Sequence, residues 1–314
     1  MNYLEHFHFD NYPFTEGVNI NYFYPKKSSL RIIDEMIKFC RFKSGIFLIT
    51  GKTGVGKTVV LNKILEAVSN NDFVISTCAD EKTELLKIIA NKLEIDSRNI
   101  SEILVNLSNI YSNGKNVIIT IDNAENLSKD EYISLSSLVQ VLPNLRVILC
   151  GNKSLHKKLN QKAVKSIKRH IVKEFKIKHL SIFGAMKYIS YMEKNALALS
   201  QYKKVFSLSS TFIISVFSNM NIRNINIISE KVLINAFEKN QSKVKVKNAV
   251  SVISENFDIT KNNIYHKFQK LFLYILLILS CYYTIKIISD RNDLINHIEA
   301  QKSIRQQEEE LRES

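Results

Sequence analysis

The sequence predicts an α/β protein with a parallel β-sheet, helices on both faces, a smaller all-helical region after it and one apolar C-terminal helix. Three observations support this prediction. Short apolar runs alternate with helical patterns over the first half of the chain, which is typical of βαβ units. Strand patterns then fade after about residue 178, while helical patterns continue to about 255. Finally, Leu271–Ile285 is a run of fifteen residues without a charge.

Each element rests on its own pattern. Continuous apolar runs of strand length predict strands buried on both faces, at 45–50, 73–76, 117–121 and 145–150. Apolar residues at helical spacing predict helices between those strands, at 57–67, 81–93 and 98–112. The same spacing predicts the helices of the second half, at 181–196, 207–220, 225–239 and 247–255.

Length and composition narrow the class of protein. The 314 residues suggest about two domains. Lys and Arg number 44 against 30 Asp and Glu, a net charge of +14 that favours nucleic acid or an anionic membrane as a neighbour. Because the chain is rich in Ile, Asn and Lys throughout, we interpret the charge as composition bias and expect no dense basic stretch. The four widely spaced cysteines exclude a disulfide scaffold and disfavour a zinc site.

A phosphate-binding motif lies between the first strand and the helix after it. Residues 51–58, GKTGVGKT, fit the pattern G-x-x-x-x-G-K-[ST] in the strand–helix context that the motif requires. Backbone N–H groups and the helix N-terminus would surround the phosphates of ATP, Lys57 would reach the β- and γ-phosphates, and Thr58 would bind Mg²⁺. The predicted nucleotide-binding residues are Gly51, Lys52, Thr53, Gly54, Val55, Gly56, Lys57, Thr58 and Asp122, with Thr58 and Asp122 as the Mg²⁺ ligands.

Asp122 ends the third predicted strand and is the candidate Walker B carboxylate. In many P-loop ATPases a Glu follows and polarises the attacking water, but here the next residue is Asn123, which cannot act as a base. Glu125 could take that role or could cap the next helix, and the sequence leaves both open. We therefore expect ATP binding, with hydrolysis that is slow.

Three further polar residues are candidate catalytic groups. Asn152 follows the fourth strand and is either a γ-phosphate sensor or a turn residue. Arg169 is either an arginine finger acting across a subunit interface or part of a solvated basic segment. Arg223, in the helical region, could reach the γ-phosphate as a second sensor.

These motifs, in this order, resemble the AAA+ ATPases of the ExeA/GspA group. The resemblance covers about 5–255 and includes the lead motifs at 12–14 and 23–25, the DNAENL box at 122–127 and IRNIN at 222–226. It implies an inner-membrane ATPase that assists secretin assembly, with relatives in pilus biogenesis and cell division. Asn123 departs from the group, and with roughly 25 residues after the apolar run we do not expect the periplasmic cell-wall domain that some members carry.

The resemblance and the patterns together give a domain plan: a lead segment (1–24), an AAA+ nucleotide-binding α/β domain (25–177), a helical lid domain (178–255), a linker (256–270), a transmembrane helix (271–288) and a polar tail (289–314). The apolar run is short for a spanning helix, but Lys270 and Lys286 can extend to the two interfaces. The plan predicts a single-pass protein of the bacterial inner membrane with its ATPase domain in the cytoplasm.

Three functions remain open. The first is a membrane-anchored AAA+ ATPase that forms homo-oligomers and works with cell-envelope assembly proteins. The second is a DNA-binding transposition regulator similar to TniB or MuB, with nucleic acid as its partner; the net charge favours it and the apolar run argues against it. The third is a nucleotide-dependent switch that does not hydrolyse ATP, suggested by Asn123.

Overall fold

A computed structural model describes residues 2–15, 23–70, 72–80, 84–96, 99–197, 204–256, 272–292 and 295. The strands are β1 (Gly45–Gly51), β2 (Phe73–Cys78), β3 (Val117–Asp122), β4 (Arg146–Gly151) and β5 (Ile171–Ile177). The helices are α1 (Tyr3–Phe7), α2 (Lys27–Phe42), α3 (Lys57–Val68), α4 (Leu85–Lys92), α5 (Ile100–Ser112), α6 (Lys129–Val141), α7 (Lys153–Leu159), α8 (Ile182–Ala196), α9 (Leu208–Phe217), α10 (Ile222–Glu238), α11 (Val246–Asn256) and α12 (Phe272–Asn292). Ala124–Asn126 and Lys162–His170 are 3₁₀ segments.

The chain divides into two compact units, Met1–Ile253 and Ser254–Ser314. The first unit holds the sheet, helices α1 to α10 and most of α11. The second unit holds α12.

All five strands are parallel, in the order β2-β3-β4-β1-β5. Strand β4 lies between β1 and β3 and pairs with both, so that Ile49 lies beside Cys150 and Ile121 beside Leu149. The carboxyl ends of these three strands therefore lie side by side at one end of the sheet, where ligands of parallel α/β sheets bind. The predicted parallel α/β fold is confirmed, and its four predicted strands are β1 to β4.

The two faces of the sheet carry separate apolar cores. Along β1, Ile46 and Leu48 join the core on one face, while Phe47 and Ile49 join the core on the other, because successive side chains of a strand point to opposite sides. Helices α4, α5, α6 and α7 cover the first face, and α2 and α3 cover the second. Helices on both faces, as predicted, explain why the central strands are apolar along their whole length.

Strand β5 was not predicted. Its sequence, IVKEFKI, carries charged residues at Lys173, Glu174 and Lys176, which break the apolar run that reveals the other strands. Phe175 and Ile177 are buried, whereas Lys173, Glu174 and Lys176 are exposed. This alternation is typical of an edge strand, and β5 is the last strand in the sheet order.

Residues 2–15 of the lead segment pack on the helical region, whereas Phe23 packs against the core between α2, α3 and the sheet. Phe14 contacts Phe206 edge-to-face, with ring centroids 5.7 Å apart, and both side chains are fully buried. Phe9 forms an antiparallel bridge with Leu197, at the end of α8. Residues 2–15 are thus an integral layer of the helical region.

Helix α12 is the one helix among the described residues that is long and apolar enough to cross a membrane. Its most apolar window of 18 residues has a mean hydropathy of 1.8, and the apolar side chains of the helix are exposed. At a rise of about 1.5 Å per residue, a helix of this length matches the bilayer core of about 30 Å.

Candidate functional site: the phosphate loop and its cleft

The loop between β1 and α3 has a backbone that only glycine adopts easily. Gly54 and Gly56 have φ values of 79° and 92°, in the left-handed region. Gly56 is the N-cap of α3, so the loop turns directly into the helix. A glycine loop that leads directly into a helix N-terminus is an arrangement suited to phosphate.

Three side chains of the two predicted motifs meet below this loop. Lys57 is 8% exposed, and its Nζ donates to the carbonyl of Lys52 at 3.2 Å. The Thr58 hydroxyl donates to Asp122 Oδ2 at 2.5 Å. The other carboxylate oxygen of Asp122 accepts from the N–H of Asn123 at 2.9 Å. The sheet order thus brings together Thr58 and Asp122, which are 64 residues apart in sequence.

The Thr58 and Asp122 oxygens are suitable ligands for Mg²⁺, a hard cation that prefers oxygen. Among the described residues, no group of three or more His, Cys, Asp or Glu side chains could hold a metal by itself. Mg²⁺ usually binds through one or two protein oxygens, with phosphate oxygens and water completing its shell. The pair fits that pattern, and the bound ion would there neutralise charge on the phosphates.

The two candidates for activating water have different surroundings. Asn123 is exposed with a left-handed backbone (φ 50°), and its side-chain amide donates to the sulfur of Cys78 at 3.2 Å. Glu125 is half-buried in the 3₁₀ turn, and its Oε2 accepts from the backbone N–H of Asn152 at 3.2 Å. The Glu125 carboxylate therefore lies at the carboxyl end of β4, the strand between β1 and β3.

Burial, with the nearby Asp122 carboxylate, raises the pKa of the Cys78 thiol. The sulfur that contacts Asn123 is therefore a neutral thiol at physiological pH.

Asn152 caps α7. Its side-chain oxygen accepts from the backbone N–H and from the hydroxyl of Ser154, both at 2.7 Å. This is the helix-capping geometry expected of Asn at such a position. Its sensor role stays a prediction.

Arg169 is exposed and lies just before β5. The first residue of β5, Ile171, pairs with Ile46 near the start of β1, whereas the phosphate loop follows the end of β1. Within one chain, Arg169 therefore lies at the amino ends of the parallel strands, whereas the loop lies at their carboxyl ends. A finger role for Arg169 stays a prediction, and it requires a second copy of the chain.

The N-terminus of α10 contacts the phosphate loop directly. The side-chain amide of Asn221 donates to the carbonyl of Thr53 at 2.7 Å, and the backbone N–H of Arg223 donates to the carbonyl of Gly54 at 3.2 Å. A Cβ on Gly54 would collide with Asn221 and would lie 2.9 Å from the Cβ of Arg223. The loop and α10 are thus in close contact, and Arg223 lies at the mouth of the site.

A cleft extends from the loop between the sheet and the helical region. Tyr24 packs edge-to-face on Tyr188, with centroids 5.5 Å apart. The Tyr188 hydroxyl donates to Asn226 at 2.8 Å, and the Asn226 amide donates to the carbonyl of Thr15 at 3.0 Å. Burial raises the pKa of Tyr188, so the ring stays neutral. The cleft is lined by Thr15, Phe23, Tyr24, Lys26, Ser29, residues 53–60, Asn123, Ile177, Lys178, Leu180, Tyr188, Met192, Ile222, Arg223 and Asn226.

Sequence reasoning missed most of the cleft residues outside the phosphate loop. Tyr24 belongs to the lead motif at 23–25, and Arg223 and Asn226 belong to the IRNIN motif at 222–226. Tyr188 lies in an ordinary helical pattern, and no local feature marks it.

The expectation that the chain has no dense basic stretch was wrong. Residues 151–173 contain seven Lys and one Arg but no Asp or Glu. This stretch covers α7, the second 3₁₀ segment and the start of β5.

Residues 40–159 match the family model described as an AAA domain. Among solved structures, the chain is similar to the Aeropyrum pernix ORC2 protein (TM-score 0.60, 12% identity, covering 77% of this chain and 72% of that one). It is similar to Cdc6p of Pyrobaculum aerophilum, with a TM-score of 0.60 and 14% identity, covering 79% of this chain and 74% of that one. It is also similar to the RuvB Holliday junction branch migration motor of Thermotoga maritima, with a TM-score of 0.52 and 12% identity, covering 78% of this chain and 73% of that one. No curated protein sequence matches the chain.

At such low identity these similarities show the fold, which is that of the AAA+ P-loop NTPases. The predicted fold class is confirmed. The narrower resemblance to the ExeA/GspA group stays a prediction.

Proposed function

We propose that this chain is a membrane-anchored AAA+ ATPase that binds ATP·Mg²⁺ and assists the assembly or operation of a cell-envelope machine. The observation that carries the proposal is the contact of Thr58 with Asp122 beside the buried Lys57, at the N-terminus of α3. These groups supply a cation ligand pair, a charge for the phosphates and a helix dipole in one place.

The cleft suits the rest of a nucleotide. Tyr24 and Tyr188 offer aromatic and apolar surface for a base, and Arg223, which lines the same cleft, would act on the terminal phosphate. The similar ORC2 protein was solved as complexes with ADPNP and ADP, which supports nucleotide binding by this fold.

Hydrolysis would use Glu125 as the general base. Asn123 has no basic group. The Glu125 carboxylate lies at the carboxyl ends of the strands, as the phosphate loop does, and it accepts a hydrogen bond from the N–H of Asn152. Arg169 would act on the nucleotide of a neighbouring copy, because in its own chain it lies at the end of the strands opposite the phosphate loop. Turnover would therefore depend on homo-oligomer formation, and the isolated chain would be slow.

Helix α12 would anchor the chain in the bacterial inner membrane, with the ATPase domain in the cytoplasm where ATP is present. Its length and exposed apolar side chains support this. The resemblance of the lead motifs and of IRNIN to the ExeA/GspA group supports a role with cell-envelope assembly proteins.

The nucleotide site is tested with Lys57→Ala in the full chain, held in nanodiscs. Loss of the ammonium should weaken ATP·Mg²⁺ binding by about a hundredfold or more, since a charge-assisted contact to phosphate is lost. Lys63→Ala is the matched control: it removes a lysine from the same helix, where Nζ pairs with Glu66 at the surface. Equal affinity of the two folded variants would reject the assignment.

Anchoring is tested on membranes. The full chain should resist carbonate extraction, and protease added to spheroplasts should trim the tail beyond α12 and spare the ATPase domain. Release of intact protein by carbonate would reject the anchor.

A second candidate is a DNA-dependent ATPase. The net charge of +14 favours it, and the similar ORC1 protein of Aeropyrum pernix was solved in complex with DNA. Strong stimulation of turnover by duplex DNA, together with carbonate release, would favour this function over the first.

A further inference from the structure

Six lysines form one exposed basic surface on the first unit: Lys153, Lys157, Lys158, Lys162, Lys165 and Lys168, together called the lysine patch. Five of them are exposed and Lys158 is half-buried. None of the six forms an ion pair with a carboxylate of the described residues. The local sequence from 151 to 173 contains no Asp or Glu, and Glu174, the next residue, pairs with His156 of α7.

The second 3₁₀ segment aligns three of these lysines. A 3₁₀-helix has three residues per turn and rises about 2 Å per residue, so Lys162, Lys165 and Lys168 lie in one row at intervals of about 6 Å. Val164 and Ile167, one residue out of step with that row, are buried in the core. A run of nine residues is long for this helix type, and its period separates the cationic row from the apolar row.

The row continues onto α7. Ser166, on the third side of the 3₁₀ segment, bonds to Ser136 of α6 at 3.2 Å, so the lysine row faces away from that contact. Lys168 donates to Asn160, the C-cap of α7. On α7 itself, Leu155 and Leu159 are buried, which turns Lys153 and Lys157 outward on the opposite side.

We propose that the lysine patch binds the anionic phospholipid surface of the membrane in which α12 is anchored. This inference rests on the proposed membrane anchor. Each lysine held near an anionic bilayer gives about a fivefold gain in binding. A tether to the same bilayer also raises the effective concentration of the surface, so that weak contacts suffice.

The composition of the patch fits adsorption on headgroups rather than insertion. Between residues 151 and 173, all of which the structure describes, Val172 is the one large apolar side chain that is exposed. The patch therefore lacks the Trp, Phe or Leu that would enter the acyl region, and it also lacks an aromatic surface for stacking bases. Binding should be electrostatic, reversible and sensitive to salt.

The test measures acetylation of individual lysines by mass spectrometry. The full chain is placed in nanodiscs of phosphatidylcholine alone or with about one-third phosphatidylglycerol, at low salt. The six patch lysines should react about fivefold more slowly in the anionic nanodiscs, and about 1 M salt should abolish the difference because the Debye length falls to about 3 Å. The exposed Lys129 and Lys187 are internal controls whose rates should not change.

A triple variant checks that the patch acts as one surface. Lys162→Gln, Lys165→Gln and Lys168→Gln together should also remove the protection of Lys153 and Lys157. The matched set Lys129→Gln, Lys187→Gln and Lys239→Gln changes the net charge equally and should leave that protection intact.

Equal rates in neutral and anionic nanodiscs would overturn the proposal, as would protection that appears only when duplex DNA is added. Retention in nanodiscs and ATP affinity are measured on the same samples. If both persist while the patch is unprotected, this inference fails and the proposed function stands; loss of nanodisc retention would instead reject the anchor.

Discussion

The backbone N–H of Arg223 donates a hydrogen bond to the carbonyl of Gly54 at 3.2 Å, which joins the first turn of α10 to the phosphate loop. Asn221 adds a second bond, to Thr53 at 2.7 Å. The loop that would hold the phosphates is therefore supported from the helical region as well as from the sheet. A change in this support should alter nucleotide binding.

Variants of Asn221 separate its two roles. Its side-chain oxygen accepts from the N–H of Asn224 at 3.3 Å and caps α10, while its amide donates to Thr53. Asn221→Asp keeps the cap but loses the donor and adds a negative charge beside the phosphates. We expect about a tenfold loss of ATP affinity, with a free energy of unfolding close to wild type. Calorimetric titration and urea denaturation measure the two quantities.

Asn221→Ala should also lose about 1 kcal/mol of stability, because the cap disappears. Ser207→Ala is the control, since it removes the cap of α9, which accepts from Ser210, and leaves the phosphate loop untouched. Wild-type ATP affinity in Asn221→Asp would show that α10 does not support the loop.

Glu125→Gln tests the proposed general base. The substitution keeps an oxygen for the N–H of Asn152 but removes basicity, so turnover should fall about a hundredfold while ATP affinity is unchanged. Phosphate release and ATP binding measure the two effects, with Glu102→Gln on α5 as the control. Unchanged turnover would mean that Glu125 only holds the turn before α7.

Phosphate release also tests whether residue 123 could polarise the attacking water. Asn123→Glu should not raise turnover, because the left-handed backbone at this position costs a residue such as Glu about 1 kcal/mol. A gain in turnover would instead assign the water-polarising position to residue 123.

Gly151→Ala should impair ATP hydrolysis without replacing Glu125, the proposed general base. A Cβ here would lie 2.6 Å from Glu125 Oε2 and 2.9 Å from Leu155, so the carboxylate must move. We expect lower turnover with ATP affinity retained. Gly184→Ala in α8, where the nearest atom is Ser181 Oγ at 3.1 Å, is the control and should turn over normally. Full activity of Gly151→Ala would show that the Glu125 position is not critical.

Glu193 should make the helical region less stable as pH rises. Its carboxylate is almost fully buried and accepts from the N–H of Phe206 at 3.3 Å and from that of Val205. Burial raises its pKa, and the backbone bonds offset this only in part. Because the folded pKa exceeds the unfolded one, the folded state binds the proton more tightly, and stability falls as pH rises through the folded pKa.

Glu193→Gln removes this titration. The Tm of the variant minus that of wild type should increase from about pH 5 to about pH 8. A difference that does not change with pH would contradict the raised pKa.

Local sequence was sufficient for β1 to β4 and for the strand–loop–helix arrangement around residues 51–58, whose phosphate-binding role stays a prediction. Their apolar runs and glycines depend on near neighbours, and the Thr58–Asp122 contact follows from the parallel arrangement. Local sequence was not sufficient for β5. As an edge strand it can carry Lys173 and Lys176, and these charges interrupt the apolar run by which a strand is predicted.

Contacts between distant segments were also beyond reach. The packing of Phe14 on Phe206 and the bond of Asn221 to Thr53 join residues 192 and 168 positions apart, and no local pattern records them. The basic character of the lysine patch is different, because a count of charges along 151–173 already shows it. What the sequence does not show is that Lys162, Lys165 and Lys168 lie in one row, since their period is that of a 3₁₀-helix.

The charged edge of the sheet limits how copies of this chain can associate. No described strand pairs with the outer side of β5, and Lys173, Glu174 and Lys176 are exposed there. Charged side chains on an edge strand disfavour its pairing with a second edge, and therefore disfavour one continuous intermolecular sheet. Any ring or filament of this protein should therefore be assembled through side-chain surfaces, which can separate and rejoin during a nucleotide cycle without breaking a backbone ladder.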